Sequence, residues 1–126
     1  MFGGEIIRKK INGYLKNITE NKTEKINENA ILTKNKLTYI KEDIKYTIIY
    51  KEKEIILIRE NKDFKNILTF SKNRSILSEY IIKENNFSVF IEVKTLELIQ
   101  NEKELYIKYK IIDSDTIYEY KITTED

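Results

Sequence analysis

Three arginines, Arg8, Arg59 and Arg74, stand out among the 23 basic side chains of the chain, because lysine is the cation used everywhere else. Arginine carries a planar fork of donors that can hold a carboxylate through two parallel hydrogen bonds. Arg74 alternates with Ile76 and Ser78, so on a β-strand these three side chains would share one face. If that face lines an interior, Arg74 and Ser78 lie near or inside it.

Most of the common catalytic chemistries are excluded by composition. With no His and no Cys, the chain cannot form a Cys/His zinc site, a cysteine nucleophile or a Ser–His relay. Asp113 and Asp115 are the only close pair of aspartates, and they flank Ser114 between two predicted strands, where Asp is a common turn residue. We therefore expect a solvated turn there, with a weak cation site as the alternative. We expect no cofactor and no enzymatic activity.

The charge pattern argues against nucleic acid as a partner. The net charge is only +2, and cations alternate with anions, as in Lys51–Glu54, so no basic stripe is present. No apolar run approaches the roughly 20 residues that a membrane helix needs. Residues 1–10 lack the pattern of a secretory signal peptide. The sequence therefore predicts a cytoplasmic protein that does not use a membrane.

Apolar residues recur at every second position along nearly the whole chain. Ile44, Tyr46, Ile48 and Tyr50 alternate with polar residues, which is typical of a half-buried strand. Turns rich in Asn and Asp separate such stretches about every 8–12 residues. The predicted strands span roughly 5–20, 23–33, 36–42, 44–51, 53–60, 65–71, 74–83, 86–100, 103–112 and 115–124.

Many short antiparallel strands must protect their edges, and closing the sheet into a barrel removes those edges. We predict an all-β fold, a closed antiparallel up-and-down barrel of about eight to ten strands, as one domain over residues 1–126. Gly13 predicts a bend or bulge in the first strand. The eighth strand is long enough to cross the barrel and bend, and Glu60–Leu68 leaves room for one helical turn.

Five segments, in this order, resemble the YwiB-type β-barrel family, a bacterial family of unknown function with a calycin (lipocalin-like) barrel. They are residues 28–42 (ENAILTKNKLTYIKE), Ile56–Glu60, Leu68–Phe70, Ile91–Thr95 and Leu105–Tyr109. The resemblance implies a calycin barrel whose interior can hold a cavity, and it implies no activity.

One turn departs from that family. Glu84–Phe87 stands where the family usually has a Thr-Pro-Tyr-Gly-like turn before the eighth strand. Only the geometry of the turn can therefore be carried over to this chain.

Two roles remain open for the inward polar candidates Arg59, Arg74, Ser78 and Thr95. In calycin barrels an arginine either closes one end by packing on aromatic rings or clamps a ligand carboxylate. In the ligand interpretation, these four residues bind and orient an amphipathic molecule. In the structural interpretation, which we favour, Arg74 lies on the rim with its charge in water.

Two interpretations are also possible for the many aromatic residues. Seven tyrosines fall on apolar faces and are expected in the core with their hydroxyls bonded at the barrel rim, rather than as stacking platforms for single-stranded nucleic acid. They are Tyr39, Tyr46, Tyr50, Tyr80, Tyr109, Tyr118 and Tyr120.

Three functions therefore remain open. The first is a non-enzymatic barrel that binds a small apolar or amphipathic ligand in its interior. The second is a protein–protein interaction or regulatory module whose interior is filled by side chains. The third, which the charge pattern disfavours, is a nucleic-acid binder.

Overall fold

A computed structural model describes residues 6–125, which form ten antiparallel β-strands. The strands are β1 (Ile6–Asn17), β2 (Lys22–Thr33), β3 (Lys36–Lys41), β4 (Ile44–Tyr50), β5 (Ile55–Glu60), β6 (Phe64–Phe70), β7 (Ser75–Ile82), β8 (Phe87–Gln100), β9 (Glu104–Ile111) and β10 (Thr116–Glu125). Each strand pairs with its neighbours in sequence, and β1 pairs with β10. The predicted closed up-and-down barrel is therefore confirmed. Within residues 6–125, no helix is long and apolar enough to cross a membrane.

Alternation of side chains builds the core. In β6, Asn66, Leu68 and Phe70 are buried while the residues between them are half-exposed, because successive side chains of a strand point to opposite faces. The same alternation in the other strands fills the middle of the barrel. The largest fully buried side chains are Tyr39, Tyr120, Phe70, Ile11, Leu37, Ile48, Ile55, Leu105, Ile107, Ile122 and Val93, together with the polar Thr95.

The turns depend on Asn and Asp because glycine is scarce. Among the described residues, six that are not glycine have a positive φ, and four of them are Asn21, Asn73, Asn86 and Asp115. Asn and Asp tolerate this left-handed conformation better than other residues with a Cβ. Asn86 therefore supplies the tight β7–β8 turn at the point where the sequence departs from the YwiB-type pattern.

The helical turn expected within Glu60–Leu68 is absent, and that expectation was wrong. The Asn61 Oδ1 accepts hydrogen bonds from the backbone N–H groups of Asp63 and Phe64, at 2.8 and 3.1 Å. This local bonding makes a tight turn, because an Asn side chain competes with the helical backbone for those donors. β6 then begins at Phe64.

The bulge or bend predicted at Gly13 is not a bulge in the structure, and the bulge lies in β8 instead. The register of β1 with both of its neighbours runs unbroken through Gly13, so no bulge lies there. A Cβ atom on Gly13 would instead lie 1.8 Å from the carbonyl oxygen of Lys121 on β10. The bulge lies in β8, between Thr95 and Glu97, where Leu96 is the extra residue.

The barrel has two ends, which we name by their turns. The upper end carries the turns that follow β2, β4, β6 and β8, and the lower end carries those that follow β1, β3, β5, β7 and β9. An antiparallel meander puts alternate turns at opposite ends, so residues distant in sequence meet at each end.

Candidate functional site

A cavity of about 1020 Å³ lies at the upper end of the barrel. Its floor is formed by the buried side chains of Leu37, Leu105 and Ile122. Leu32 and Leu98 extend this apolar surface toward the rim. Small-molecule sites usually enclose about 300–1,000 Å³ and are mostly apolar, so the cavity is large enough for a small organic molecule.

Charged side chains surround the mouth of this cavity. Those that line it are Lys9, Lys53, Lys72, Lys103, Glu52, Glu102 and Glu104. Both signs are present, and Glu104 pairs with Lys121 at 3.3 Å. The cavity therefore combines an apolar floor with a polar rim, which suits a molecule with an apolar body and a polar head.

Tyr50 places a hydroxyl-bearing ring in the cavity wall. The turn that follows it is held by the side-chain amide of Asn35, which donates to the Tyr50 carbonyl oxygen at 3.2 Å. Burial raises the pKa of the Tyr50 phenol to about 12. The hydroxyl therefore stays protonated at neutral pH and can act as a hydrogen-bond donor or acceptor toward a bound molecule.

Thr95 supports the same end of the barrel from within the core. It is fully buried, and its hydroxyl oxygen accepts a hydrogen bond at 3.1 Å from the backbone N–H of Ser71, which lines the cavity. Its backbone N–H donates to the Arg74 carbonyl at 3.0 Å, and its own carbonyl accepts from Asn73 at 3.1 Å. Thr95 therefore fixes the β6–β7 turn rather than facing a ligand.

Substituting Thr95 with valine is expected to lower the free energy of unfolding by about 1–3 kcal/mol, because the buried Ser71 N–H loses its acceptor. Valine keeps the shape of threonine, so packing changes little. Thr95→Ser, which keeps the hydroxyl, should recover a large part of that loss in urea denaturation. A larger loss for Thr95→Ser than for Thr95→Val would show that the methyl group, and not the hydrogen bond, matters.

Arg74 is exposed and lies in the β6–β7 turn, immediately before β7 begins at Ser75. Its carbonyl oxygen accepts a hydrogen bond from the Thr95 N–H at 3.0 Å, so Arg74 flanks the upper end of β8. Ser78 is buried at 2% exposure, and its hydroxyl oxygen has no hydrogen-bond partner among the described residues. Arg74 is therefore on the rim, and Ser78 is inside the barrel.

Arg59 lies at the lower end of the barrel, away from the cavity. Its guanidinium carbon is 5.5 Å from the ring centre of Tyr46 and 5.9 Å from that of Phe64, distances at which a cation and an aromatic face attract each other. Its buried Nε has no hydrogen-bond partner among residues 6–125. The four polar candidates therefore do not converge on one site.

The aromatic core has one buried polar contact of its own. The hydroxyls of Tyr39 and Tyr120 lie 2.6 Å apart, and both residues are at most 2% exposed. Burial raises the pKa of both phenols above the usual value. Tyr109 stacks on Tyr118, with ring centres 5.3 Å apart. These rings pack inside the barrel, as predicted, but the Tyr39 and Tyr120 hydroxyls bond to each other within the core and not at the rim.

The paired aspartates lie where the sequence placed them. Asp113 and Asp115 are exposed in the β9–β10 turn, Asp115 has a positive φ of 58°, and its carboxylate pairs with Lys110. Among residues 6–125, no group of three or more Asp or Glu side chains could hold a metal ion.

The sequence left room for an interior cavity but did not predict its position at the upper end or its lining residues. Its lining comes from the ends of different strands, such as Leu32 on β2, Tyr50 on β4 and Leu98 on β8. The available signal was topological, because a meander brings the ends of every even-numbered strand to one rim. Collecting the inward residues nearest those ends would have brought Leu32 and Tyr50 together.

Comparison with known proteins gives one informative likeness. No family model matches the chain, and no curated protein matches it. A solved structure, the crystal structure of the YwiB protein from Bacillus subtilis, aligns with a TM-score of 0.68 at 14% sequence identity. The alignment covers 95% of this chain and 90% of that one. The predicted resemblance is thus confirmed for the fold, and the chain is a β-barrel similar to the bacterial YwiB protein.

Proposed function

We propose that this protein binds a small amphipathic molecule in the upper cavity, without transforming it. The observation that carries the proposal is the combination of an apolar floor, whose accessible side chains are Leu32 and Leu98 above the buried Leu37, Leu105 and Ile122, with a charged rim. Moving an apolar chain from water onto such a floor contributes about 25 cal/mol of favourable binding free energy per Å² of buried apolar area. The polar head of the same molecule can remain at the rim, in contact with water and charged side chains.

The Tyr50 hydroxyl in the cavity wall favours binding over catalysis. General acid–base catalysis needs a titratable group near the bound molecule with a pKa close to the working pH. Tyr50, with its pKa raised to about 12, is far from that range and supplies a hydrogen bond instead. A cytoplasmic location is part of this proposal, as an expectation from the sequence alone.

A tryptophan reporter can test the proposal, because the chain has no tryptophan of its own. Leu98→Trp places the indole in the cavity wall, and Leu77→Trp places it on the outside, where Leu77 is 66% exposed. A medium-chain carboxylic acid with bromine at its far end quenches tryptophan only on contact. We expect saturable quenching of the Leu98→Trp variant and little quenching of the Leu77→Trp control.

The unbrominated acid should then compete and restore the emission of the Leu98→Trp variant. Thermal unfolding of both variants checks that each is folded before titration. Equal quenching of the two variants would indicate non-specific adsorption. No quenching of either variant up to the solubility limit of the acid would contradict the proposal.

A further inference from the structure

The inward side chains nearest the lower end of the barrel are open to solvent. On β6, Phe64 is half-exposed, whereas Asn66, the next inward residue, is buried. Inward residues near the same end of four other strands are half-exposed too, each beside a buried inward neighbour: Ile44, Tyr80, Ile91 and Tyr118. Together with Phe64, these residues define an opening that we call the lower mouth. Its wall is aromatic and aliphatic.

Arg59 brings a guanidinium into the lower mouth. It pairs with Tyr46 on β4 and with Asn66 on β6, so its side chain shares the inward face with theirs. Its guanidinium carbon is 5.5 Å from the ring centre of Tyr46 and 5.9 Å from that of Phe64. Burial raises the pKa of the Tyr109 phenol on β9, and the Arg59 charge partly offsets this. The guanidinium therefore lies close enough to act on rings of several strands.

The hydrogen-bond donors of Arg59 have no acceptor in the protein. A guanidinium carries five N–H donors. Its Nε is buried without a partner among residues 6–125, and no carboxylate of this part of the chain forms an ion pair with it. Aromatic faces attract the charge but do not replace the missing acceptors. The two terminal nitrogens are not buried, so a molecule in the lower mouth can reach them.

A lysine at the same end shows how another cation of the barrel is compensated. Lys41 follows Tyr39 at the next inward position of β3, and its ammonium pairs with Glu24 at 2.7 Å. No such carboxylate lies beside Arg59. A charge in a partly buried position is costly without a partner, so the Arg59 donors are left to water or to a ligand.

We propose that the lower mouth binds a flat aromatic monocarboxylate, with its carboxylate on the terminal nitrogens of Arg59 and its ring among the aromatic side chains. The planar guanidinium fork matches the two oxygens of a carboxylate. The Phe64 and Tyr80 rings already stack, with centres 5.3 Å apart and planes within 2°, and a flat ligand can extend such a stack. This site lies at the opposite end from the upper cavity and does not depend on the ligand proposed there.

The turns of the lower end decide which anion is accepted. They carry more carboxylates than lysines, so the rim repels a multiply charged anion more strongly than a singly charged one. Exposed charges are screened beyond about 8 Å at physiological ionic strength, whereas a partly buried charge such as Arg59 is screened less. One carboxylate on an uncharged ring therefore suits the mouth better than a phosphate group. The carboxylates of these turns are Glu20, Glu42, Asp43, Asp63, Glu84, Asp113 and Asp115, and the lysines are Lys62 and Lys83.

The Nε–Hε signals of the three arginines in a nitrogen–proton NMR spectrum test the proposal directly. Arg8 and Arg74 are exposed near the upper end and serve as internal controls. Titration with naphthalene-2-carboxylate should shift the Arg59 signal in a saturable way and leave the other two unchanged. Spectra that connect Nε to the backbone assign the signals in the wild type, so the test needs no variant.

Two further probes separate charge from shape. Naphthalene-2-methanol has the same ring without the charge, and it should bind about tenfold or more weakly than the acid at Arg59. Inorganic phosphate, which has charge but no ring, should also bind more weakly. An Arg59 signal that stays unmoved up to millimolar acid would overturn the proposal. Equal affinity for the alcohol, or for phosphate, would overturn it as well.

A pair of conservative variants tests the role of the fork. Arg59→Lys keeps the charge but loses the planar fork, and it should weaken binding of the acid by about tenfold, followed through the backbone amide signal of Phe64. Arg74→Lys makes the same change on the upper rim and should leave that titration unchanged. An equal loss in both variants would contradict a site at Arg59.

Discussion

Replacing Gly13 with alanine should lower the free energy of unfolding by on the order of 3 kcal/mol or more, the scale of a severe core clash. The added Cβ would lie 1.8 Å from the Lys121 carbonyl oxygen and 2.8 Å from its carbonyl carbon. Both are backbone atoms of β10, so no side-chain rotation relieves the contact. β1 and β10 would have to separate, and the ladder that closes the barrel would weaken.

The direction of the stability change separates a steric clash at Gly13 from the ordinary effect of replacing glycine with alanine. In an ordinary strand, alanine is more stable than glycine by roughly 0.5–1 kcal/mol, because glycine loses more backbone freedom on folding. Urea denaturation of Gly13→Ala beside Asn12→Ala, its neighbour on β1, gives the comparison. The Asn12 variant should differ little from the wild type. A Gly13→Ala protein as stable as the wild type would show that the two strands can move apart at little cost.

Raising the pH above about 10, the ordinary pKa of tyrosine, should destabilise the barrel steeply. Burial is the main cause that raises the pKa of Tyr39, Tyr50, Tyr109 and Tyr120 in the folded protein. The unfolded chain loses these protons near pH 10 while the folded chain keeps them, so deprotonation favours the unfolded state. The stabilisation is complete below pH 10 and is lost as the pH rises toward the folded values.

Tyr50 gives this prediction a magnitude and a control. Its pKa of about 12 in the folded protein exceeds the unfolded value by about two units, and each unit corresponds to about 1.4 kcal/mol. Tyr50 alone should therefore account for up to about 3 kcal/mol of the loss by pH 12. Denaturation at a series of pH values should show a shallower alkaline decline for Tyr50→Phe, because phenylalanine has no proton to lose.

Lysines titrate in the same range, but they do so equally in the wild type and in the Tyr50→Phe variant. The difference between the two curves therefore isolates the phenol. Parallel curves up to pH 12 would contradict the assignment of this alkaline loss to Tyr50.

Local patterns were sufficient to predict the strands. β4 was expected at 44–51 and spans Ile44–Tyr50, because alternation is a property of neighbouring residues. β1 was expected to reach residue 20 but ends at Asn17. The Asn17 Oδ1 accepts a hydrogen bond from the Glu20 N–H at 3.0 Å, which starts the turn early. Side-chain caps of this kind decide strand ends and are difficult to distinguish from ordinary polar residues in a sequence.

The site was harder to predict, because depth along the barrel depends on how the strands are offset. Arg59 and Thr95 both alternate with apolar residues, yet Arg59 lies at the lower end and Thr95 supports the upper one. Alternation shows which face of the sheet a side chain is on, but it does not show the position of that side chain along the barrel axis. The extra residue Leu96 also changes which positions of β8 face inward, so Leu98 lines the cavity although the count from Thr95 would place it outside.

The pairing of β1 with β10 has a consequence for the order of assembly. Every other ladder joins consecutive strands, so the meander can form hairpin by hairpin from contacts that are close in sequence. Only the last ladder must bring together segments separated by most of the chain. A loop roughly ten times longer costs about 2 kcal/mol more chain entropy to close. We therefore infer that an open, curled sheet precedes the closed barrel during folding, with its two outermost strands unpaired until the final step.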